Sequence, residues 1–191
     1  MLFDSGFPTV SSEGLFERDT LPAITLVLGG VRSGKSRFAQ SLVERFAPAI
    51  YLATAEAGDG EMAARIREHQ ARRDGRFETV EEPLALSFAL GEYGKGERPI
   101  LVDCLTLWLS NLMQAGRDID AELTALDHAL ATLTAPVVFV SNEVGLGIVP
   151  DNALAREFRD HAGKLNQRIA AQAGLVIFIA ASLPLVLKNG S

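Results

Sequence analysis

The run Gly29-Gly30-Val31-Arg32-Ser33-Gly34-Lys35-Ser36 constrains this chain more than any other feature, because of what flanks it. An apolar stretch, Ile24–Leu28, leads into it, and a stretch of helical apolar spacing, from Gly34 to about Phe46, leads out. Glycines let such a backbone curl until successive N–H groups and the positive end of the following helix surround a single point. That arrangement suits the oxygens of a polyphosphate. In a loop of this pattern the lysine, here Lys35, reaches the β and γ phosphates, and the hydroxyl of Ser36 is placed to hold Mg²⁺. The chain therefore reads as nucleotide-binding.

Strand-type and helix-type segments alternate beyond the loop. Ile50–Ala53, Ile100–Asp103, Val137–Ser141 and Leu175–Ala180 are short apolar runs without alternation, as expected of strands covered on both faces. Helices are predicted over Glu61–Arg73, Leu105–Met113, Ile119–Leu133 and Asn152–Ala173, and Leu185–Leu187 is a candidate closing strand. This order predicts an α/β fold with a mostly parallel sheet flanked by helices, its sites at the C-terminal ends of the strands. In the last helix Leu154, Phe158, Leu165 and Ile169 recur at core spacing, with His161 on the same stripe; His128 falls off the apolar face of its helix. The charged stretch Ala55–Arg98 reads as a loop-rich excursion from the sheet. Residues 1–22 lack a sustained period and read as a poorly ordered extension before a single domain spanning 23–191.

Composition limits the partners. A formal net charge of −6 disfavours nonspecific attraction to nucleic acid or anionic lipid, so an anion must be met at a focused site. Part of the acidity is local: residues 1–22 carry Asp4, Glu13, Glu17 and Asp19 against Arg18 alone. One cysteine, Cys104, excludes an internal disulfide, and with three histidines it excludes a multi-cysteine zinc cage; both fit a reducing cytoplasm. The longest apolar runs are strand-length, too short to span a membrane, and the first residues lack the pattern of a secretory signal.

Two further features carry chemistry. Asp103 ends an apolar strand, Ile100-Leu101-Val102, as a carboxylate expected beside a phosphate-bound metal does. In the predicted helix over Glu61–Arg73, Arg65, His69 and Arg72 fall on one stripe. Two flanking guanidiniums disfavour imidazolium, which would leave His69 neutral and nucleophilic. Spacing alone favours a solvated helix face with an incidental histidine.

In chain order GGVRSGKS, YLATAE (51–56), EMAARIREHQ (61–70), the segment ETVEEP around Glu81, LVDCLTLWLSNLM (101–113) and SNEVGLGIVPDNALAREFRDHAGKLNQRIA (141–170) resemble one family. It is the bifunctional adenosylcobinamide kinase and adenosylcobinamide-phosphate guanylyltransferase family of cobalamin biosynthesis, and the resemblance covers about residues 24–188. It implies a RecA-type P-loop NTPase fold, a homotrimer and two reactions. In the first, the γ-phosphoryl group of ATP or GTP passes to the aminopropanol hydroxyl of the corrinoid. In the second, a histidine takes GMP from GTP, releasing pyrophosphate, and the corrinoid phosphate then takes GMP from the histidine. The resemblance implies that His69 is that nucleophile and that nucleotide contacts come from Gly29, Gly30, Val31, Arg32, Ser33, Gly34, Lys35, Ser36, Thr54, Ala55, Glu56, Arg72, Arg73, Glu81 and Asp103. Ser36 and Asp103 are the implied Mg²⁺ side. The family often carries Glu at the position of Asp103, which implies a water-bridged contact here. Asn142 and Glu143, at the end of a strand on the site side, are open between a substrate contact and a turn role. Two other readings stay open on the residues alone: an unrelated small-molecule kinase, and a nucleotide-gated binding module.

Overall fold

The computed structural model describes residues 20–55 and 75–190. The expectations for residues 1–19 and for Glu56, the predicted helix over Glu61–Arg73, Arg65, His69, Arg72 and Arg73 lie outside the described residues.

Seven strands form one sheet in the order β3-β2-β4-β5-β1-β6-β7. They are β1 (Ile24–Gly29), β2 (Ala49–Ala53), β3 (Phe77–Glu81), β4 (Ile100–Asp103), β5 (Val137–Asn142), β6 (Leu175–Ala180) and β7 (Leu183–Asn189). The helices are α1 (Lys35–Glu44), α2 (Leu86–Tyr93), α3 (Leu105–Gln114), α4 (Ile119–Ala131) and α5 (Ala153–Gln172). All pairings are parallel except the hairpin of β6 with β7. The predicted fold class therefore stands.

The central strands are apolar throughout because both of their faces are covered. Leu26, Ile50, Val102 and Phe139 pack to one side with Trp108, Leu109 and Ile169; Val27, Tyr51, Leu101 and Val138 pack to the other with Phe38 and Leu42. Burying a large aliphatic or aromatic side chain stabilises by about 1.5–3 kcal/mol, so these two layers carry the fold. Trp108 is fully buried, and its indole N–H donates to the Leu84 carbonyl at 2.9 Å, which satisfies its one polar atom. The Asp118 and Asn152 side chains cap α4 and α5 by accepting from Ala121 N–H and Ala155 N–H.

Three sequence expectations are corrected. The stretch Ala55–Arg98 is more than an excursion, since β3 adds a parallel edge strand to β2 and α2 buries Leu86, Ala89 and Leu90. An edge strand with one solvated side, FETVE, has too few apolar residues to announce itself. The closing strand is longer than predicted, running from Leu183 to Asn189 and tolerating Pro184 because it lies at the sheet edge. Leu154 is 62% exposed and outside the core, whereas Leu165 and Ile169 are buried as expected. A 20-residue helix is about 30 Å long and a six-residue strand about 20 Å, so the first turns of α5 overhang the sheet. His128 is exposed, as its position predicts. His161 is intermediate: its side chain is 19% exposed, with Nε2 3.7 Å from Glu157 Oε1 and Nδ1 buried.

Candidate nucleotide site

Strand register brings the sequence candidates to one edge of the sheet. Gly29 pairs with Asn142, Val140 with Asp103, Asp103 with Ala53, and Ala53 with Glu81, so five strands end together on the side from which α1 departs. Parallel strands aligned in this way place their C-terminal ends, and the loops that follow, in one row.

The loop after β1 is held by its own backbone and by a neighbouring hairpin. Ser33 N–H donates to the Gly30 carbonyl at 3.3 Å, and Gly34, at φ 96°, turns the chain into α1. Arg32 also has positive φ, at 56°, an uncommon conformation for a residue with a side chain. The β6–β7 turn presses on this curl: Ser182 N–H donates to the Ser33 carbonyl at 2.8 Å. A Cβ at Gly34 would meet Ser182 Oγ at 2.7 Å, and one at Gly29 would meet the Ile179 carbonyl at 2.5 Å. Both glycines are thus required by close approach.

Helix α1 begins at Lys35 with no side-chain cap, which leaves its first N–H groups directed out of the helix end. Lys35 is buried, and its ammonium donates to the Gly30 carbonyl at 3.1 Å across the mouth of the loop. Burial lowers its pKa below the usual 10.5, against the opposing pull of Cys104 and Asp103. A desolvated ammonium beside free N–H groups favours a polyanion, which restores the charge pairing that burial removed. Ser33 Oγ is buried with no partner among the described residues.

Asp103 faces the loop from the end of β4. Ser36 Oγ donates to its Oδ1 at 3.4 Å, and Tyr51 Oη donates to its Oδ2 at 2.5 Å. Tyr51 therefore orients the carboxylate so that one oxygen looks toward Ser36. A hydroxyl and a carboxylate oxygen that converge beside phosphate-directed groups are the hard donors Mg²⁺ takes, with phosphate and water completing its shell. The residues present fit that ion.

Behind this pair the chain is fixed by Thr54. Its hydroxyl donates to the Cys104 carbonyl and accepts from Cys104 N–H, both at 2.8 Å, across a cis Asp103–Cys104 peptide. Thr54 is fully buried, so its side chain locks β2 to β4. Asn111 closes the same corner by donating to the carbonyls of Thr54 and Pro83. On the other flank Asn142 N–H donates to Thr106 Oγ1 at 2.7 Å, and Glu143 N–H donates to the Gly29 carbonyl at 3.1 Å. These contacts tie the end of β5 to the start of the loop.

Loop residues 29–36, Thr54, Ala55, Glu81 and Asp103 thus share one edge, whereas Glu56, Arg72, Arg73 and His69 fall outside the described residues. Sequence reasoning missed Tyr51 and Ser182. Each acts on a residue far along the chain, and in the sequence Tyr51 looks like any apolar strand residue.

Comparison with known proteins bears on the fold and on the family. Solved structures with a similar fold include the flagellar accessory protein FlaH from Methanocaldococcus jannaschii, with TM-score 0.52, 12% identity and coverage of 89% of this chain and 80% of that one. A protein from Pyrococcus horikoshii OT3 reaches TM-score 0.56 at 10% identity, over 94% of this chain and 92% of that one. At these identities the likeness concerns the fold alone. Closer in sequence are two bifunctional adenosylcobalamin biosynthesis proteins. CobP of Pseudomonas aeruginosa is 49% identical over 167 residues, covering 86% of this chain and 96% of that protein. CobU of Salmonella typhimurium is 39% identical over 178 residues, covering 85% and 98%. The family model described as cobinamide kinase / cobinamide phosphate guanyltransferase matches residues 25–187, a span from the strand before the phosphate loop into the last strand, and the chain belongs to that family.

Proposed function

We propose that this chain carries out both reactions of its family at the edge just described. The observation that carries this reading is the convergence of a buried Lys35, an uncapped helix end and the Ser36–Asp103 pair on one point. In the kinase step the acceptor hydroxyl oxygen of adenosylcobinamide bonds to the γ-phosphorus of ATP or GTP. The bond to the β,γ-bridging oxygen breaks, the nucleoside diphosphate leaves, and the hydroxyl proton is released. The loop N–H groups of residues 29–36 and Lys35 hold the phosphates and stabilise charge on the transferring group. Ser36 and Asp103 would hold Mg²⁺, which would supply charge neutralisation to the phosphates.

In the guanylyl step His69 forms a bond to the α-phosphorus of GTP and pyrophosphate leaves. A phosphate oxygen of adenosylcobinamide phosphate then displaces the histidine, giving adenosylcobinamide-GDP. Arginines 72 and 73, with Glu56 and Glu81, are the proposed nucleotide contacts for this step, along with Thr54 and Ala55 at the turn after β2. Residues 23–191 form the catalytic unit, residues 1–22 an extension outside it, and the working assembly is a cytoplasmic homotrimer. Among the described residues no helix is long and apolar enough to cross a membrane.

Incubation with α-labelled GTP and Mg²⁺ tests the assignment. The expected result is an acid-labile, base-stable protein label that is absent in His69→Ala and retains GMP transfer to the corrinoid phosphate in the native chain. An active kinase that forms no such label removes the guanylyltransferase half, and failure of the native chain to phosphorylate adenosylcobinamide removes the kinase half.

A further inference from the structure

The connection between β5 and α5, residues 143–152, leaves the sheet beside the phosphate loop, since Asn142 and Gly29 are register partners and Glu143 N–H meets the Gly29 carbonyl. From Val144 to Pro150 it contains no charged side chain. Leu146, Ile148 and Val149 are 81%, 97% and 58% exposed, with Leu154 at 62% and Val31, at the tip of the phosphate loop, at 76%. Single exposed aliphatic residues are ordinary, but four between Leu146 and Leu154, on a segment bonded to the start of the loop that carries Val31, are a concentration of the kind that marks contact with an apolar ligand or partner.

The connection is also well anchored. Glu143 Oε1 accepts from Gly145 N–H at 2.6 Å, and Arg156 Nη1 donates to the carbonyls of Pro150 and Asp151 at 2.8 and 2.7 Å. Asn152 caps the helix that follows. Hydrogen bonds at both ends thus fix the backbone while the aliphatic side chains between them stay in solvent.

Triphosphate recognition has no use for these side chains, since phosphate oxygens need donors and charge. The acceptor offers a better match: a corrinoid is a broad ring, too wide for a narrow cleft, whose methyl groups give aliphatic area between its amide arms, and it must bring a hydroxyl to the γ-phosphate. Val31 belongs to the phosphate loop itself, so a ring resting on this surface is adjacent to the transferring group. We propose that Val31, Leu146, Ile148, Val149 and Leu154 form the platform that seats the corrinoid acceptor. This rests on the kinase reading above.

The test is the double variant Leu146→Ser/Ile148→Ser in the full chain, with Ile148→Ala as a milder companion. The measurements are equilibrium dialysis with adenosylcobinamide, the KM values for corrinoid and nucleotide, thermal midpoint, and mass by light scattering. The expected result is a corrinoid Kd and KM raised about tenfold or more in the double variant and less in Ile148→Ala, with nucleotide KM, midpoint and mass unchanged. Unchanged corrinoid Kd and KM overturn the platform while leaving the kinase reading intact. A rise in nucleotide KM alone assigns the surface to the base, and an altered mass assigns it to a second copy of the chain; either overturns the proposal. If the native chain neither binds nor phosphorylates the corrinoid, the functional reading falls and takes the platform with it.

Discussion

Two connections leave neighbouring strands at paired positions and have opposite chemistry. The one after β1 folds inward, spends its carbonyls on Ser33 N–H, Lys35 and Ser182 N–H, and leaves N–H groups for a ligand. The one after β5 is anchored at its ends and turns Leu146, Ile148 and Val149 outward. The difference separates two recognition tasks. Backbone groups suit an anion because their dipoles are fixed by the fold and cost no rotamer entropy, whereas a broad apolar surface needs side-chain area. Sequence variation should therefore act differently on the two: at the first it disturbs geometry, at the second it changes only what is held.

The largest effect expected is on chemistry. Lys35→Met should lower phosphoryl transfer by about 10³-fold, by loss of one charge aimed at the transition state. The ligand-free thermal midpoint should stay within about 2 °C, because burial already opposes the ammonium. A large fall in midpoint alongside activity would show Lys35 to be a structural residue and blur the distinction between the two loops.

A pair of glycines gives the next contrast. Gly34→Ala places a Cβ at φ 96° and 2.7 Å from Ser182 Oγ, and should cost about 1–3 kcal/mol of stability by denaturant titration. Adding Ser182→Gly should return the steric share of that loss and leave the backbone share. Gly147→Ala, in the connection after β5, meets nothing within 4 Å and should change stability by less than about 0.5 kcal/mol. Equal costs at the two glycines would break the comparison.

The smallest effect concerns Cys104, behind the phosphate loop. Burial pushes its thiol pKa from 9.0 up to about 11, so it should resist thiol reagents at pH 8 until the protein is unfolded. The sign follows from linkage: the unfolded thiol ionises first, so this group's contribution is constant below pH 9 and turns against the fold between pH 9 and about 11. Cys104→Ala should flatten that part of the stability profile, measured by denaturant midpoints. Rapid labelling of the folded chain at pH 8 would contradict the burial on which this rests.

What the sequence made legible was local chemistry. Gly34 and Lys35 announce a phosphate loop because a left-handed turn and a cation at fixed spacing have few other uses, and Asp103 is found because it terminates an apolar run. The central strands are legible for the same reason, being continuous in β-forming residues. Phe77–Glu81 escaped notice because an edge strand is half solvated, and Leu154 was misplaced because periodicity identifies a face of a helix without saying how far the sheet beneath extends. The Tyr51–Asp103 and Ser182–Ser33 bonds join residues that only the strand order brings together, so no local pattern contains them. His69 stands out by resemblance alone, since its spacing favours a solvated helix face.

The clasp between the β6–β7 turn and the phosphate loop bears on how the protein matures. Strand β1 lies between β5 and β6, and its loop rests on Ser182, so the phosphate loop is finished by segments made after it. A nascent chain that has not yet produced β6 and β7 has the whole nucleotide-binding motif but lacks the turn that braces it. Nucleotide capture should then await the synthesis of that turn.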